Sequence, residues 1–300
     1  MPYPSPLTYP DGLLSPGSLL SSFPPVAVGD VVMNTEDTSG VQWVLEELDG
    51  WDSPASTAKA TQRARGHGAT MSEAFLTGRT LVGNGAILTT DPAVLTAAID
   101  ELIAAVTLEQ FPLIVAEPGH LRTIMVQRQD KVIIKKQNAY EATFSFQVFA
   151  KDPLKYGQLV SASTVLPSSS GGLVRPSTWP RTWSGITNAG KITITNDGNF
   201  PAPVWMRVDG PVPAGGWAAT HIGKKQTLSF ASSLALAAGE FVTVDNERRE
   251  VLAQGQAARS GYVTSRGWFN LDPGVNEIAF SAQNYSPTAL LTVSTKPTWS

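Results

Sequence analysis

The chain has 300 residues, of which 42% are apolar and 16% charged, with 26 glycines, 22 prolines and no cysteine. A length of this order suggests about two domains, and the surplus of turn formers points to many short strands rather than a helical bundle or global disorder. Lack of cysteine excludes a disulfide framework, a thiolate metal site and a cysteine nucleophile, and a net charge of −3 gives no electrostatic case for tight nucleic-acid or anionic-membrane binding.

The opening "MPYPSPLTYPDGLLSPGSLL" has neither the basic start nor the apolar stretch of a secretory signal. No run approaches the ~18 apolar residues of a membrane span. These features predict a soluble chain made in the cytosol, or one that joins a larger assembly there. Short β-type runs then follow at Gln42–Leu48, Ser72–Leu76 and Arg79–Gly83, and "GNGAI" (Gly83 to Ile87) has the composition of a hairpin turn. It lacks the third glycine and following helix of a dinucleotide fingerprint. Asp91 and Pro92 are a helix-start pair, one capping free N–H groups and the other losing nothing at the first helical position. Leu95, Ala98, Ile99, Leu102, Ile103 and Val106 continue at three- and four-residue steps, so one helix is predicted from Asp91 to about Val106, packed on a sheet.

Further strands are predicted at Leu113–Ala116, Arg122–Gln129 and Ala142–Ala150. In the last, Phe144, Phe146 and Val148 share one face while Thr143, Ser145 and Gln147 share the other. The stretch from Ser161 to Gly185 is rich in Pro, Ser and Gly without amphipathic period, and it carries Trp179 and Trp183, which favour an arm over a bare linker. Charge changes sign there: residues 1–157 hold 11 basic and 17 acidic side chains, residues 158–300 hold 11 and 8. The expected division is 1–160, a 161–187 linker or arm, and 188–300. After the arm only strand signals remain, at Ile192–Thr195 and Val204–Val208, then in "KQTLSF", "FVTVDN", "REVLA", "GWFNL", "NEIAFSA" and "ALLTVST". Their roughly ten-residue spacing describes a β-sandwich or jelly roll. The fold class is therefore mainly β with one flanking helix.

Chemistry is sparse. No nucleophile elbow or phosphate-binding loop occurs. Glu46, Glu47, Asp49 and Asp52, flanked by Trp43 and Trp51, would suit a carboxylate pair beside sugar-stacking aromatics, but a solvated loop after a strand explains them as well. Asp245, Asn246 and Glu247 offer oxygens without the spacing of a calcium loop, and a plain turn is the simpler reading. His67, His120 and His221 lie in distant segments, and a lone histidine is usually structural. Asn284-Tyr285-Ser286 matches a glycosylation sequon, a short pattern of little weight. Six of the eight tryptophans lie between Trp179 and Trp299, so sugar stacking competes with a core role for Trp205 and Trp268. No catalytic, cofactor-binding or metal residue is assigned, and no cofactor is expected.

The order of several segments resembles the distal tail proteins of long-tailed bacteriophages. The carriers are "ITITNDGNFPAPVWMRVDG" (Ile192 to Gly210), "FVTVDNERREV" (Phe241 to Val251) and "GWFNLDPGVNEIAFSA" (Gly267 to Ala282), with "GRTLVGNGAI" and "FSFQVFAKDPLKY" (Phe144 to Tyr156) in the first half. The long Pro- and Trp-rich arm is similar to that of relatives from phages of actinobacteria. The resemblance implies an N-terminal tail-tube-like β-sandwich and a C-terminal galectin-like β-sandwich. It also implies a hexameric ring that joins the major tail-tube protein to the tail-tip protein at the baseplate of the virion, passes DNA as transient cargo, and sometimes anchors receptor-binding proteins. No membrane insertion and no enzymatic activity are implied. Gly198, Asn199, Pro201, Gly210, Trp268, Pro273, Gly274 and Asn276 would be structural, and Asp152, Pro153 and Tyr156 would close the first unit. The helix stripe would pack against the ring sheet. The acidic first unit suits a DNA-conducting bore, since like charges repel. A carbohydrate-binding module acting on host-surface glycans is the alternative. A wall hydrolase would need a carboxylate pair or metal site that the sequence does not assemble.

Overall fold

The computed structural model describes residues 24–170 and 186–300, so Trp179, Trp183 and most of the predicted arm lie outside the described residues. The chain divides into two compact units that meet between Gly157 and Gln158.

In the N-terminal unit a chain of short strands opens on β-branched residues: β1 (Val26–Val28), β2 (Val31–Met33), β3 (Thr35–Glu36) and β4 (Gln42–Asp49). A projecting hairpin follows, with β5 (Ser56–Thr57), β6 (Ala60–Gln62), β7 (Ala69–Met71) and β8 (Phe75–Leu76). Then come β9 (Arg79–Leu88), helix α1 (Pro92–Ala105), β10 (Phe111–Glu117), β11 (His120–Arg128), β12 (Ile133–Lys136), β13 (Glu141–Ala150) and β14 (Lys155–Tyr156). The main sheet runs β2-β1-β10-β11-β13-β9-β4-β3, with β12 beside β13. Strand β11 turns the corner, pairing β10 along its length and β13 only through Gln127 and Arg128.

The two margins of this sheet are joined rather than open. Asn34, between β2 and β3, adopts φ 64° and is wholly buried. Its N–H donates to the Trp43 carbonyl at 2.6 Å, and its Oδ1 accepts the Leu45 N–H at 2.8 Å. An Asn tolerates this left-handed conformation better than most residues. Inside lie Trp43, Leu81, Ile87, Phe144, Phe146 and Val148 with the helix residues Leu95, Ala98, Ile99 and Leu102. Asp91 caps the helix as expected, its Oδ1 accepting the Ala93 N–H at 2.8 Å. Ile103, placed on the predicted stripe, is instead 42% exposed. It lies one position beyond Leu102 and is turned about 100° away from the seam.

"GNGAI" is not a hairpin turn. Gly83 to Ile87 lies inside continuous β9, whose register with β13 runs unbroken from Arg79↔Ala150 to Leu88↔Glu141. The glycines serve side-chain packing: a Cβ on Gly83 would strike the Phe146 ring, and one on Gly85 the Phe144 ring and the Val44 carbonyl. Between Leu45 and Glu47 the partner strand β4 shifts register against the same segment.

The C-terminal unit begins just before the stretch read as an arm and takes in its first residues. Strand β15 (Val160–Val165) precedes a small pair, β16 (Ser168–Ser170) with β17 (Ile186–Asn188). The series continues through β18 (Lys191–Asn196), β19 (Val204–Asp209), β20 (Trp217–His221), β21 (Gln226–Phe230), β22 (Phe241–Asp245), β23 (Glu250–Ala253) and β24 (Ala257–Ala258). It ends with β25 (Val263–Arg266), β26 (Gly274–Ala282) and β27 (Leu290–Thr295). One sheet runs β15-β27-β19-β22-β23-β24 and the other β18-β26-β20-β21-β25. Their alternating inward residues form a single core, in which Trp217 stacks on Phe230 with centroids 3.8 Å apart. A mainly β fold of sandwich units is thus what the spacing predicted. Two local readings differ. β15 pairs with β27 from Val160↔Thr295 to Val165↔Leu290, and its serine hydroxyls add to the ladder, Ser161 with Ser294 at 2.8 Å and Ser163 with Thr292 at 2.9 Å. "GWFNL" is not a strand: Phe269 is buried and Leu271 bridges Ala202, but the backbone between them makes no ladder.

Candidate functional sites

Three of the residues expected to be structural, Gly198, Gly274 and Asn276, lie in two polar knots of the C-terminal unit. Asn196 is 1% exposed and all its amide capacity is used. Its Oδ1 accepts N–H bonds from Gly198 at 3.0 Å and Thr298 at 3.2 Å, and its Nδ2 donates to the carbonyls of Phe200 and Leu271. Gly198 is required because a side chain there would enter the Thr298 backbone. In the second knot, Asn276 Nδ2 donates to Asp272 O at 2.8 Å and Gly274 O at 2.9 Å. Gly274 has φ 95°, which suits glycine in the Pro-Gly turn. His221 completes this knot. Its Nδ1 accepts the Lys224 N–H at 3.3 Å, which fixes Nε2–H as the donor to Asn276 Oδ1 at 3.0 Å. Sequence reasoning left His221 alone and did not single out Asn196, since Asn276, which bonds His221, and Leu271 and Thr298, which bond Asn196, are distant in the chain.

The Asp245 group is a turn: Oδ1 accepts N–H bonds from Glu247 and Arg248, and Oδ2 accepts from Trp205 Nε1 at 3.2 Å. The acidic group around Trp43 also disperses. Trp43 is core, Glu46, Glu47, Asp49 and Asp52 are exposed, and Trp51 donates to Glu117 Oε1 at 2.8 Å. Beneath Trp51 lie two buried cations that the sequence did not announce. Lys155, 3% exposed, donates to the carbonyls of Trp51 and Asp52 at 2.8 and 3.0 Å and lies 4.9 Å from the Trp51 ring centroid. Burial, with Arg79 and Arg122 nearby, pushes its pKa down to about 8 against the pull of Glu117 and Asp52. Arg79, 4% exposed, donates to Trp51 O at 2.8 Å, and burial lowers its pKa. The loop after β4 is therefore clamped by positive charge on backbone oxygens. Tyr156 closes the unit by donating to Asp152 Oδ2 at 2.6 Å.

Two surface features stand out. From Ala55 to Phe75 every residue is exposed, including Met71 at 67% and Phe75 at 61%. This hairpin arm carries Lys59, Arg63 and Arg65 against Glu73. The other is a cleft of about 380 Å³ in the C-terminal unit, between the 231–240 loop, the turn after β23 and the short 3₁₀ turn Ser260–Tyr262. Among the described residues no group of three or more His, Asp or Glu could hold a metal ion, and no helix is long and apolar enough to cross a membrane. Of the four described tryptophans of this unit, Trp217 and Trp299 are buried and Trp205 and Trp268 half-buried.

These features define a mainly β protein built of sandwich units. Residues 197–299 match the family model of the siphovirus-type tail component, C-terminal domain. That span holds the Phe241–Val251 and Gly267–Ala282 motifs and most of Ile192–Gly210. The fold is similar to the crystal structure of the Dit protein of phage SPP1, described as a paradigm of the hub adsorption apparatus in phages infecting Gram-positive hosts. The TM-score is 0.61 at 12% identity, covering 85% of this chain and 93% of that one. Chains of the phage P2 baseplate in its activated conformation, with calcium and with strontium, match at TM-scores of 0.45 and 0.43, with 8% and 9% identity over 90% of this chain and 96% of theirs. No curated protein matches in sequence. The match thus lies within the C-terminal unit, and the chain has a fold similar to that of the SPP1 Dit protein, in line with the resemblance carried by the motif order.

Proposed function

We propose that this chain is a structural distal tail protein of a long-tailed phage, whose copies form a ring, six to a ring, at the tail tip. The ring would join the tail-tube protein to the tail-tip protein and pass DNA through its bore. The observation that carries this reading is the arm from Ala55 to Phe75. An isolated two-stranded hairpin is marginally stable in water, yet this one projects with Met71 and Phe75 uncovered. A second copy of the chain is the fitting cover, because the arm is basic and the N-terminal unit that would receive it is acidic. With the margins joined at Asn34, neighbours would meet through the arm and the outer edge of β12. The acidic balance also suits a bore through which DNA slides without adhesion.

Light scattering on the purified chain, alone and mixed with its tail-tube protein, tests this. The expected mass lies near six times 31.9 kDa in at least one condition. A variant with residues 57–75 replaced by a Gly-Ser turn is expected to stay monomeric with its unfolding midpoint unchanged. A wild-type chain that remains monomeric in both conditions overturns the ring.

A further inference from the structure

We infer that the cleft of the C-terminal unit binds a neutral pyranose sugar of one or two rings, stacked on Tyr262 and read by the amides of Gln254 and Gln256. Its volume of about 380 Å³ falls in the range of small-ligand sites. Tyr262 packs partly against the core and also lines the cleft, so its ring is held from behind. The Tyr262 hydroxyl and the two glutamine amides line the same cleft and make no hydrogen bond with described residues.

The frame around these free groups is fixed. Gln254 N–H bonds to Phe241 O at 3.0 Å, Gln256 N–H to Ala253 O at 3.0 Å, and Tyr262 N–H to Arg259 O at 2.9 Å. Uncommitted side chains on a committed backbone are what a pre-organised site requires. A primary amide donates and accepts, which matches a hydroxyl that also does both. The charges nearby oppose one another. Glu240 already accepts the Ala237 N–H at 2.8 Å, and the Arg259 guanidinium lies 5.9 Å from the Tyr262 ring centroid. One charge of each sign favours an uncharged polyol over a phosphate or carboxylate ligand. The polar side chains on the walls disfavour a lipid or an apolar peptide anchor.

This inference is independent of ring formation, since the cleft lies within one unit of one chain. The test is saturation-transfer NMR and titration of the full chain with methyl glucoside, methyl galactoside and N-acetylglucosamine. At least one is expected to bind with a millimolar Kd. The exposed double variant Gln254→Ala/Gln256→Ala should weaken it about tenfold or more, the loss expected from about two hydrogen bonds. Tyr262→Phe, which keeps the ring, should weaken it less. Transfer to none of the three sugars, or binding undiminished in the double variant, overturns the proposal.

Discussion

Gly83 and Gly85 occupy interior strand positions, where glycine ordinarily weakens a sheet. Here each leaves room for a phenylalanine ring of β13 to lie across β9. Gly85→Ala would push a methyl group against backbone as well as ring, so it is expected to cost about 1–3 kcal/mol in chemical denaturation. Lys155 makes a different prediction at the same scale. Its folded pKa of about 8 lies below the ordinary 10.5, so the folded state binds its proton less tightly than the unfolded chain does. The sign follows by linkage: stability rises with pH from about 8 to about 10.5, where the unfolded chain alone still holds the proton. Thermal melts of the wild type and Lys155→Met across that window should show the wild type gaining on the variant. Below pH 8 the ammonium stays charged and holds the Trp51 and Asp52 carbonyls.

Helix α1 and the hairpin arm show two ways an element is stabilised. The helix has a capping side chain, a proline in its first turn and a buried seam from Leu95 to Leu102. Loss of the cap in Asp91→Ala is expected to lower stability by about 1 kcal/mol, seen as a shift in the denaturation midpoint. The arm has no such internal support, because its ladders are short and none of its side chains from Ala55 to Phe75 is buried. In the proposed ring its order would come from the neighbouring copy it docks against. The helix was legible in the sequence, for its cap and stripe are local patterns. The arm was only partly so: "SEAFL" has strand character, but nothing in it says that both strands face water.

For the whole molecule, the proposed assembly would set the arm's Lys59, Arg63 and Arg65 against a chain half with 17 acidic residues, an electrostatic contact. Raising salt shortens the screening length from about 10 Å at 0.1 M to about 3 Å at 1 M. The assembled mass is therefore expected to fall as salt is raised over that range, measured by light scattering. A ring held mainly by apolar burial would instead persist.

The alternating strands, the capped helix and the order of turn motifs were set by local chemistry, since a period of two or a Pro-Gly turn needs only neighbouring residues. What tertiary structure alone decided were relations between distant residues: glycines sheltered under Phe144 and Phe146, His221 joined to Asn276, Lys155 placed under Trp51, and β15 taken into the C-terminal sheet. Each depends on which strands lie side by side. That pairing is fixed by the packing of a whole unit, where burial of many side chains outweighs any single local preference.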